Sequence, residues 1–401
     1  SAGGAAIASY RLHHGLLRRG IDSKLLVGRK QTDDLLVAQV LRNQWLESQL
    51  HRLIHRIGFN YINHISSFEI PKHPFFKTAD ILNFHNLHNS YFSYLAIPSL
   101  TGLKPTIFTL HDMWSFTGHC TYSYDCTRWQ VGCGKCPYPS TYPSIRRDVT
   151  HWELGLKDWV YNRSDLTIVT LSKWLTKQVN ISILNRFAIH CIPNGIDTEV
   201  YQPLDFEFCR TKLGISLKKK VLLFSAIQLT DIRKGGDLLV KVLDRLPKAL
   251  KQDCVLLILG DSRQRLAATV DMPIVDLGYV SSDKLKAIAY SAADLFLFPT
   301  RADNLPLVLQ ESMACGTPMV SFDIGGVPDL VRPGTTGHLA QPEDTDDFCK
   351  GIVDLLNDDV KRRVMGQNCR RIALEEYTLD LQAKRYQNLY QQVLDRRNTD
   401  K

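Results

Sequence analysis

Residues 294–318 read DLFLFPTRADNLPLVLQESMACGTP, and this stretch contains a strand, a loop and a helix in succession. The apolar run that ends at Pro299 is typical of a buried parallel strand. A helix is predicted to begin near Leu305 and Pro306, because proline suits the first helical turn, where its missing N–H needs no partner. The N–H groups of that turn and the positive end of the helix dipole predict an anion site, for example for a diphosphate.

Two carboxylates accompany the predicted helix. Asp303 lies just before it, and Glu311 lies about two turns into it. A pair at this spacing can contact two separate hydroxyl-bearing groups of one elongated ligand. A purely structural alternative makes Asp303 a helix N-cap and Glu311 a surface charge, and the spacing alone leaves both interpretations open.

A basic turn follows another buried strand. Residues 228–240 read QLTDIRKGGDLLV, in which Gly235 and Gly236 open a helix. Arg233 and Lys234 are therefore expected at the carboxyl edge of the sheet, where open α/β folds bind ligands. A guanidinium and an ammonium at this edge predict neutralisation of a diphosphate, with a solvated basic turn as the alternative.

The alternation of short apolar runs with amphipathic stretches extends along the whole chain. Strands are predicted over residues 23–28, 80–85, 105–111, 165–172, 188–194, 221–227, 254–260, 273–278, 294–299 and 318–323. Helices are predicted over residues 5–19, 235–247, 283–292, 306–315 and 377–395. This pattern indicates an α/β protein with two doubly wound domains, joined by a linker within residues 193–213.

Length and composition agree with two globular domains. The chain has 401 residues, of which 44% are hydrophobic and 22% charged, so a disordered or low-complexity protein is excluded. No apolar run is long enough to cross a bilayer, and the beginning SAGGAAIASYRLH lacks the features of a secretory signal. Ten cysteines are too few for a disulfide scaffold, so we expect a cytoplasmic protein with reduced thiols.

The net charge of +8 is concentrated in the first half of the chain. Residues 1–195 contain 21 Lys and Arg against 12 Asp and Glu, whereas residues 196–401 contain 28 against 29. A basic surface favours an anionic partner such as phosphate, anionic lipid or nucleic acid, with a mixed solvated surface as the alternative. Residues 45–65 also predict an amphipathic helix with Arg52 and Arg56, which either packs on its own sheet or lies in a membrane interface.

Residues 112–150 form a long stretch without periodicity, and such a loop is usually functional or held by a ligand. Within it, Cys120, Cys126, Cys133 and Cys136 follow a C-x5-C-x6-C-x2-C pattern. Four thiols with one C-x2-C arm predict a structural zinc ion. Reduced or partly disulfide-bonded thiols are the alternative.

These motifs occur together and in order, and as a set they resemble the retaining glycosyltransferases of the GT-B fold, in family 4 (glycosyltransferase group 1). The similarity is greatest to bacterial exopolysaccharide transferases of the colanic-acid type. The motifs are GGAA (3–6), TLHDMW (109–114), LSKW (171–174), PNGID (193–197), RKG (233–235), LG (259–260), LGYV (277–280), Asp303 to Glu311, MACGTP (313–318) and GGVPD (325–329).

The resemblance implies two Rossmann-like domains that face a central cleft. Residues 1–195 would bind the acceptor, residues 196–376 the nucleotide sugar, and residues 377–401 would form a helix that returns to the first domain. Gly3 and Gly4 match a strand-to-helix turn, yet the strand that a βαβ unit places before such a turn is expected to be missing.

The resemblance also assigns roles to residues. Glu311 would hold the ribose hydroxyls, and Asp303, one carbon shorter than the usual Glu, would contact hydroxyls of the donor sugar. Lys234 would neutralise the diphosphate, and Arg233 would replace an arginine that is missing from the altered stretch 226–229. Catalytic roles are expected for Lys234, Arg233, Asp303, and for His111 and Asp112 at the sugar end.

The remaining donor contacts are implied for turns and loops. Gly4 would let the backbone approach the diphosphate, and Gly278, Tyr279 and Val280 would hold the nucleobase through backbone groups. The other implied donor-binding residues are Asn194, Asn304, Leu305, Pro306 and Leu307.

The implied reaction transfers a hexose with retention from a nucleotide sugar, with UDP-glucose as the example, to a polysaccharide or a polyprenyl-linked oligosaccharide. No catalytic metal is expected, because cations at the diphosphate stabilise the departing charge, and Asp344 and Asp346 are interpreted as helix caps. Contact with the inner face of the membrane is expected, and nucleic acid is not expected as a partner. Two alternatives stay open, namely a nucleotide-sugar epimerase of the same architecture and a non-catalytic nucleotide-sugar-binding subunit.

Overall fold

The computed structural model describes residues 3–88, 91–228, 231–261 and 270–399. The chain folds into two compact units. The first unit comprises residues 1–193 and 382–401, and the second comprises residues 194–381. Each unit is built on parallel sheet, as expected for two Rossmann-like domains.

The described residues of the first unit contain six strands: β1 (Leu25–Val27), β2 (Val37–Gln39), β3 (Leu82–His85), β4 (Thr106–Leu110), β5 (Thr167–Thr170) and β6 (Ala188–Cys191). Its helices are α1 (Gly4–Arg18), α2 (Gln44–Ile57), α3 (Pro74–Thr78), α4 (Ile97–Leu103), α5 (Thr150–Tyr161) and α6 (Lys173–Asn180).

The second unit contains the strands β7 (Lys220–Gln228), β8 (Cys254–Asp261), β9 (Ile274–Asp276), β10 (Leu295–Phe298), β11 (Met319–Phe322) and β12 (Gly337–Ala340). The described helices that follow α6 are α7 (Phe206–Lys212), α8 (Gly236–Arg245), α9 (Lys248–Asp253), α10 (Asp283–Ala292), α11 (Leu307–Ala314), α12 (Thr345–Leu356), α13 (Asp359–Glu376) and α14 (Leu379–Thr399).

The sheet of the second unit has the strand order β12-β11-β10-β7-β8-β9. All of its pairings are parallel, and strands such as β10 and β11 are fully buried. Strands buried on both faces consist of continuous apolar residues, which explains the runs seen in the sequence. The chain moves outward in one direction after β7 and in the other after β10. This reversal is the topological switch point of a doubly wound sheet.

The sheet of the first unit has the order β3-β4-β5-β6, and β1 and β2 form a separate parallel pair. Helix α14 returns to this sheet, as the resemblance implied. The hydroxyl of Tyr386 lies 3.0 Å from that of Thr109 on β4, and Asn83 on β3 donates to the hydroxyl of Tyr390 at 3.0 Å. Ala383 and Leu389 are buried beside them.

All ten predicted strands are present, although the ends shift by one to three residues. Two short strands, β2 and β12, have no distinct apolar run and were not predicted. The helix predicted over residues 45–65 is wrong in length, since α2 ends at Ile57 and Gly58 follows in a left-handed conformation with φ of +101°. Glycine commonly ends helices in this way because it has no Cβ to clash.

Candidate functional site

The switch point of the second sheet brings two functional loops side by side. Strands β7 and β10 are hydrogen-bonded neighbours, with Leu222 opposite Leu295. The chain beyond β7 carries Arg233 and Lys234, and the loop beyond β10 carries Asp303. Because ligands of open α/β sheets bind at the carboxyl edge beside the switch point, this is the expected place for a site.

Gly235 permits the close approach of these loops. Its φ is +68°, and a Cβ at this position would lie 1.8 Å from the carbonyl oxygen of Pro299. On the adjoining residues, the Thr300 hydroxyl donates to the Arg233 carbonyl at 2.9 Å, and the Arg301 N–H donates to the same oxygen at 2.7 Å. A side chain at residue 235 would therefore force the two loops apart.

One carboxylate holds both cations of the site. Oδ2 of Asp303 lies 2.8 Å from Nζ of Lys234 and 3.2 Å from Nη1 of Arg233. Asp303 is only 9% exposed, whereas the side chains of Lys234 and Arg233 are 25% and 26% exposed. The cations are thus accessible from solvent while the carboxylate that positions them is buried.

The ion pairs of this cluster shift the pKa values of its members. Burial raises the pKa of Asp303, but Lys234 and Arg233 more than offset that effect, so its pKa lies below the ordinary value. Burial lowers the pKa of Lys234, and the charge of Asp303 opposes the change. Asp231 also belongs to this cluster, because its Oδ2 lies 3.4 Å from Nη2 of Arg233, so the two cations face two carboxylates.

The two structural alternatives for the carboxylates are wrong. Pro306, not Asp303, is the N-cap of α11, and Oδ1 of Asp303 accepts instead from the N–H of Asn304 at 3.0 Å. Glu311 is 4% exposed and accepts from the hydroxyl of Tyr290 at 3.3 Å. Both side chains are therefore buried and held by hydrogen bonds rather than exposed as surface charges, and their roles in ligand binding stay predictions.

The segment that leads into α11 is packed rather than mobile on the surface. Asn304, Leu305 and Pro306 are buried, and Leu307 is half-buried. The side-chain amide of Gln310 donates to the carbonyl of Asn194 at 2.6 Å, which places Asn194 beside this helix. Sequence reasoning had not identified Gln310 or Tyr290, because their roles depend on contacts between distant segments.

The predicted nucleobase turn lies farther along the same edge. Gly278 follows β9, which is two strands from β7, and its N–H donates to Asp276 at 2.8 Å. Its carbonyl accepts from the N–H of Gly260 at 2.7 Å. Tyr279 is exposed and Val280 is half-buried. The altered stretch 226–229 precedes Arg233, and Leu229 lies outside the described residues.

Two hydrogen-bonded side-chain pairs, each with at least one histidine, occupy the carboxyl edge of the sheet in the first unit. His85 ends β3 and His111 follows β4, with Nδ1 of His85 2.9 Å from Nε2 of His111. Nε2 of His88 lies 2.8 Å from Oδ2 of Asp112, whose other oxygen accepts from the N–H of Trp114 at 2.9 Å. His85, at the end of β3, therefore positions the predicted His111, and His88, in the loop after β3, positions the predicted Asp112.

Burial determines the charge state of these groups. It lowers the pKa of His111 to about 4, and it lowers that of His85 well below the usual value, with His111 adding to the effect. The two imidazoles are therefore neutral at pH 7 and share one hydrogen bond. Burial raises the pKa of Asp112, but the His88 charge and hydrogen bonds bring it below its ordinary value.

Gly4 is the first residue of α1 in the first unit. It is exposed, and no atom would lie within 4 Å of a Cβ built on it. Its backbone is accessible, although local packing does not require a glycine here. The expected role at a diphosphate stays a prediction.

The four cysteines of the long loop, which form no disulfide among the described residues, line a single pocket. Within residues 3–88, 91–228, 231–261 and 270–399, no group of three or more His, Cys, Asp or Glu side chains is already arranged to hold a metal ion. Asp344 caps α12, as expected, by accepting from the N–H groups of Asp346 and Asp347 at 3.0 Å. None of the helices that could be described is long and apolar enough to cross a membrane.

Two family models match the chain, one in each half. The model for Glycosyltransferase Family 4 matches residues 2–200, and the model for Glycosyl transferases group 1 matches residues 205–372. The second match contains Arg233, Lys234, Asp303 and Glu311.

Curated relatives are similar over different lengths. A putative colanic acid biosynthesis glycosyl transferase, WcaC of Escherichia coli, is 23% identical over 98% of this chain and 97% of its own length. A GDP-mannose-dependent mannosyltransferase of Corynebacterium glutamicum is 30% identical over 50% of this chain and 55% of its own length. The chain thus spans about half the length of the first of the curated relatives it matches.

Solved structures share the architecture. Sucrose-phosphate synthase from Thermosynechococcus elongatus is 17% identical, with a TM-score of 0.71 over 98% of this chain and 94% of that one. HepE from Anabaena in complex with UDP-glucose is 15% identical, with a TM-score of 0.65 over 98% of this chain and 97% of that one. At these identities the likeness concerns the fold. With the two family models, the ordered motifs and the switch-point site, it follows that the chain belongs to the group 1 glycosyltransferases of family 4, with the GT-B fold.

Proposed function

We propose that the protein transfers a hexose, with retention, from a UDP-sugar such as UDP-glucose to a saccharide acceptor. The observation that carries this proposal is the pair of accessible cations, Lys234 and Arg233, held over the buried Asp303 at the switch point. A nucleoside diphosphate needs such cations because negative charge grows on its β-phosphate as the sugar leaves. Preorganised cations stabilise that charge in the transition state.

The ion pairs of Asp303 suggest how the site responds to the donor. A bound diphosphate competes with Asp303 for Lys234 and Arg233, since it offers a larger negative charge. The carboxylate then gains capacity to accept hydrogen bonds from donor-sugar hydroxyls. Binding of the leaving group and recognition of the sugar would be linked through this one side chain.

The remaining donor contacts follow the edge of the second sheet. We assign the ribose hydroxyls to Glu311, whose carboxylate is oriented by Tyr290. The nucleobase is assigned to the backbone of residues 278–280. Asn194 and residues 304–307 border the sugar diphosphate, and the first N–H groups of α11 add donors to the phosphate oxygens.

Retention in this proposal does not use a glycosyl-enzyme intermediate. Asp303, the carboxylate expected at the donor sugar, is assigned to hydrogen bonding with the sugar hydroxyls once the donor is bound, so it does not act as the nucleophile. The acceptor hydroxyl would attack from the same face from which the diphosphate leaves, and the departing phosphate would take its proton. No step of this route requires a metal ion.

The first unit is proposed to contribute the acceptor side. Its paired groups His111 and Asp112 are rigidly oriented and suit hydrogen bonding to sugar hydroxyls, and the exposed backbone at Gly4 suits contact with the diphosphate. The name of WcaC, a putative colanic acid biosynthesis glycosyl transferase, supports an exopolysaccharide as the acceptor, and a lipid-linked oligosaccharide is the second candidate.

A panel of donors tests the function. The chain is incubated with UDP-glucose, UDP-galactose and GDP-mannose, the last because a relative's name specifies it. Release of UDP, or of GDP from GDP-mannose, with an α-linked product or free α-sugar detected by NMR, supports the transferase. A new sugar isomer without UDP release would indicate the epimerase, and binding without turnover would indicate the non-catalytic subunit.

We further propose that the enzyme works at the cytoplasmic face of a membrane. On α2, Trp45 and Leu53 are 72% and 63% exposed, and Arg52 and Arg56 are exposed beside them. The only carboxylate of the helix, Glu47, is buried and pairs with Arg42 at 2.8 Å. An apolar and basic face without acidic side chains suits an anionic bilayer.

A further inference from the structure

The cysteine pocket contains an imidazole with the orientation of a metal ligand. His119 lines this pocket and is 2% exposed. Its Nδ1 lies 2.8 Å from the carbonyl oxygen of Pro143. Since a carbonyl oxygen only accepts, Nδ1 carries the proton, and the neutral ring presents a lone pair at Nε2. Metal-binding histidines are commonly oriented by such a bond to a backbone carbonyl.

The lone pair of His119 points at the thiols. Its Nε2 lies 3.1 Å from Sγ of Cys136, and the other three cysteines line the same pocket. In a tetrahedral zinc site, a nitrogen at about 2.0 Å and a sulfur at about 2.3 Å from the ion are about 3.5 Å apart. The observed pair is therefore close to the spacing of two ligands of one zinc ion.

The backbone near the C-x2-C arm is also arranged for an anionic sulfur. The N–H of Gly118 donates to Sγ of Cys133 at 3.3 Å. Cys133 has a φ of +57° and lies between Gly132 and Gly134, with φ of +117° and +90°. A non-glycine residue in this conformation is uncommon, and such strain concentrates at ligand-binding sites.

We propose that this pocket binds one Zn²⁺ through Cys133, Cys136 and His119, with Cys126 or Cys120 as the fourth ligand. Each thiol releases its proton to solvent on binding, so three thiolates, a neutral imidazole and Zn²⁺ carry a net charge of −1. The guanidinium-bearing Arg128 lines the same pocket and supplies the opposite charge. In the described part of the chain, these side chains are not yet arranged around a common metal position. Zinc binding would therefore require the cysteine side chains to rotate about χ1 toward the ion.

The consequence of zinc binding is structural and independent of the proposed donor. The ion would connect residues 118–136 to each other, and His119 would connect them to Pro143. The start of the same loop is already anchored, because the buried ammonium of Lys157 donates to the carbonyls of Trp114 and Thr117 at 2.7 and 2.9 Å. Zinc would therefore order the outer part of a loop that begins beside Asp112.

Elemental analysis tests the proposal on the full chain, purified without metal-affinity steps and without added zinc. We expect about one zinc per chain, released when a thiol reagent is titrated in the presence of a colorimetric chelator. Cys133→Ser and Cys136→Ser should retain less than about a tenth of the metal. Cys191→Ser is the matched control, because this exposed cysteine lies on β6 outside the pocket.

Two measurements decide the ligand set and do not depend on the serine variants folding. In competition with a chelator, His119→Ala should lose zinc at roughly 10-fold lower chelator concentration, and unchanged retention would overturn the histidine ligand. In the wild-type chain, three of the four pocket thiols should resist alkylation until zinc is chelated, and the fourth identifies which of Cys120 and Cys126 is not a ligand. A mass lower by two hydrogens per disulfide, or four thiols that react at once in a zinc-free native protein, would overturn the site.

Discussion

Replacing Lys234 by alanine removes one of the two cations at the switch point and leaves the other, Arg233, in place. Arg233 still pairs with Asp303 at 3.2 Å, so the buried carboxylate keeps a partner. The Lys234 side chain is 25% exposed, and an ion pair with this accessibility adds little to stability, at most about 1 kcal/mol. We therefore expect the variant to fold, with its melting temperature lower by no more than about 4 °C.

The effect on catalysis should be much larger than the effect on folding. In the proposed function the ammonium faces the charge that develops on the leaving diphosphate, and loss of one such donor costs about 3–4 kcal/mol, or a 100- to 1,000-fold fall in kcat/KM. UDP itself carries much of the same charge, so its Kd should rise by roughly 10-fold, in line with about 1.5 kcal/mol for a charged hydrogen bond. The greater loss in the rate than in the affinity is the signature of transition-state stabilisation.

The assay measures UDP release under steady-state conditions and UDP binding by calorimetry. Lys241→Ala is the matched control, because Lys241 is exposed on α8 of the same unit and lies outside the switch point. Lys234→Arg keeps the charge and should recover part of the rate. A Lys234→Ala variant with kcat/KM within threefold of the control would refute the assignment of this residue to the diphosphate.

Four further predictions concern Asp303, Glu311, Glu153 and helix α2. Asp303→Asn should leave the affinity for UDP equal or higher, because Lys234 and Arg233 lose the carboxylate of Asp303 as a competing anion, while the preference among donor sugars disappears. Calorimetry measures the affinity and competition between two UDP-sugars measures the preference; weaker UDP binding would contradict the proposed linkage between diphosphate binding and sugar recognition. Glu311→Ala should raise the Kd of UDP about 10-fold with the sugar preference intact, whereas a changed preference would argue against ribose binding. Burial raises the pKa of Glu153 to about 7 from 4.5, so the native state binds a proton that the unfolded chain lacks, and stability falls as the pH rises through this window. Glu153→Gln should flatten that decline, by up to about 3 kcal/mol at pH 7 in denaturant titrations, and parallel curves for the two proteins would disprove it. Finally, the double variant Arg52→Glu and Arg56→Glu should abolish salt-sensitive cosedimentation with anionic vesicles, while the charge reversal Lys241→Glu in the second unit should not. If the unmodified chain does not bind such vesicles at low salt, α2 is not a membrane contact.

Much of the fold could be predicted because the strands of a covered parallel sheet are recognisable one at a time. Runs such as residues 254–260 are apolar at every position, and the structure buries them on both faces. The helix over residues 45–65 was predicted too long, since periodicity continued past Gly58 although this glycine adopts a left-handed conformation. Strands β2 and β12 lack a distinct apolar run, so local composition did not reveal them, whereas the equally short β1 and β9 were found by their apolar residues.

The order of residues along the chain was sufficient to identify the family and to place cations, carboxylates and helix starts after particular strands, because parallel strands direct their carboxyl ends to one edge. Pairings between distant segments were decided by the tertiary structure. The ion pairs of Asp303 with Lys234 and Arg233 require β7 and β10 to be neighbours, and the burial of Glu311 requires Tyr290 from another helix. Likewise, the cysteine spacing suggested zinc, yet the orientation of His119 depends on its hydrogen bond to Pro143. Hydrogen bonds and ion pairs act over only a few ångströms, so the partners of a side chain follow from the packing of the whole unit rather than from its neighbours in sequence.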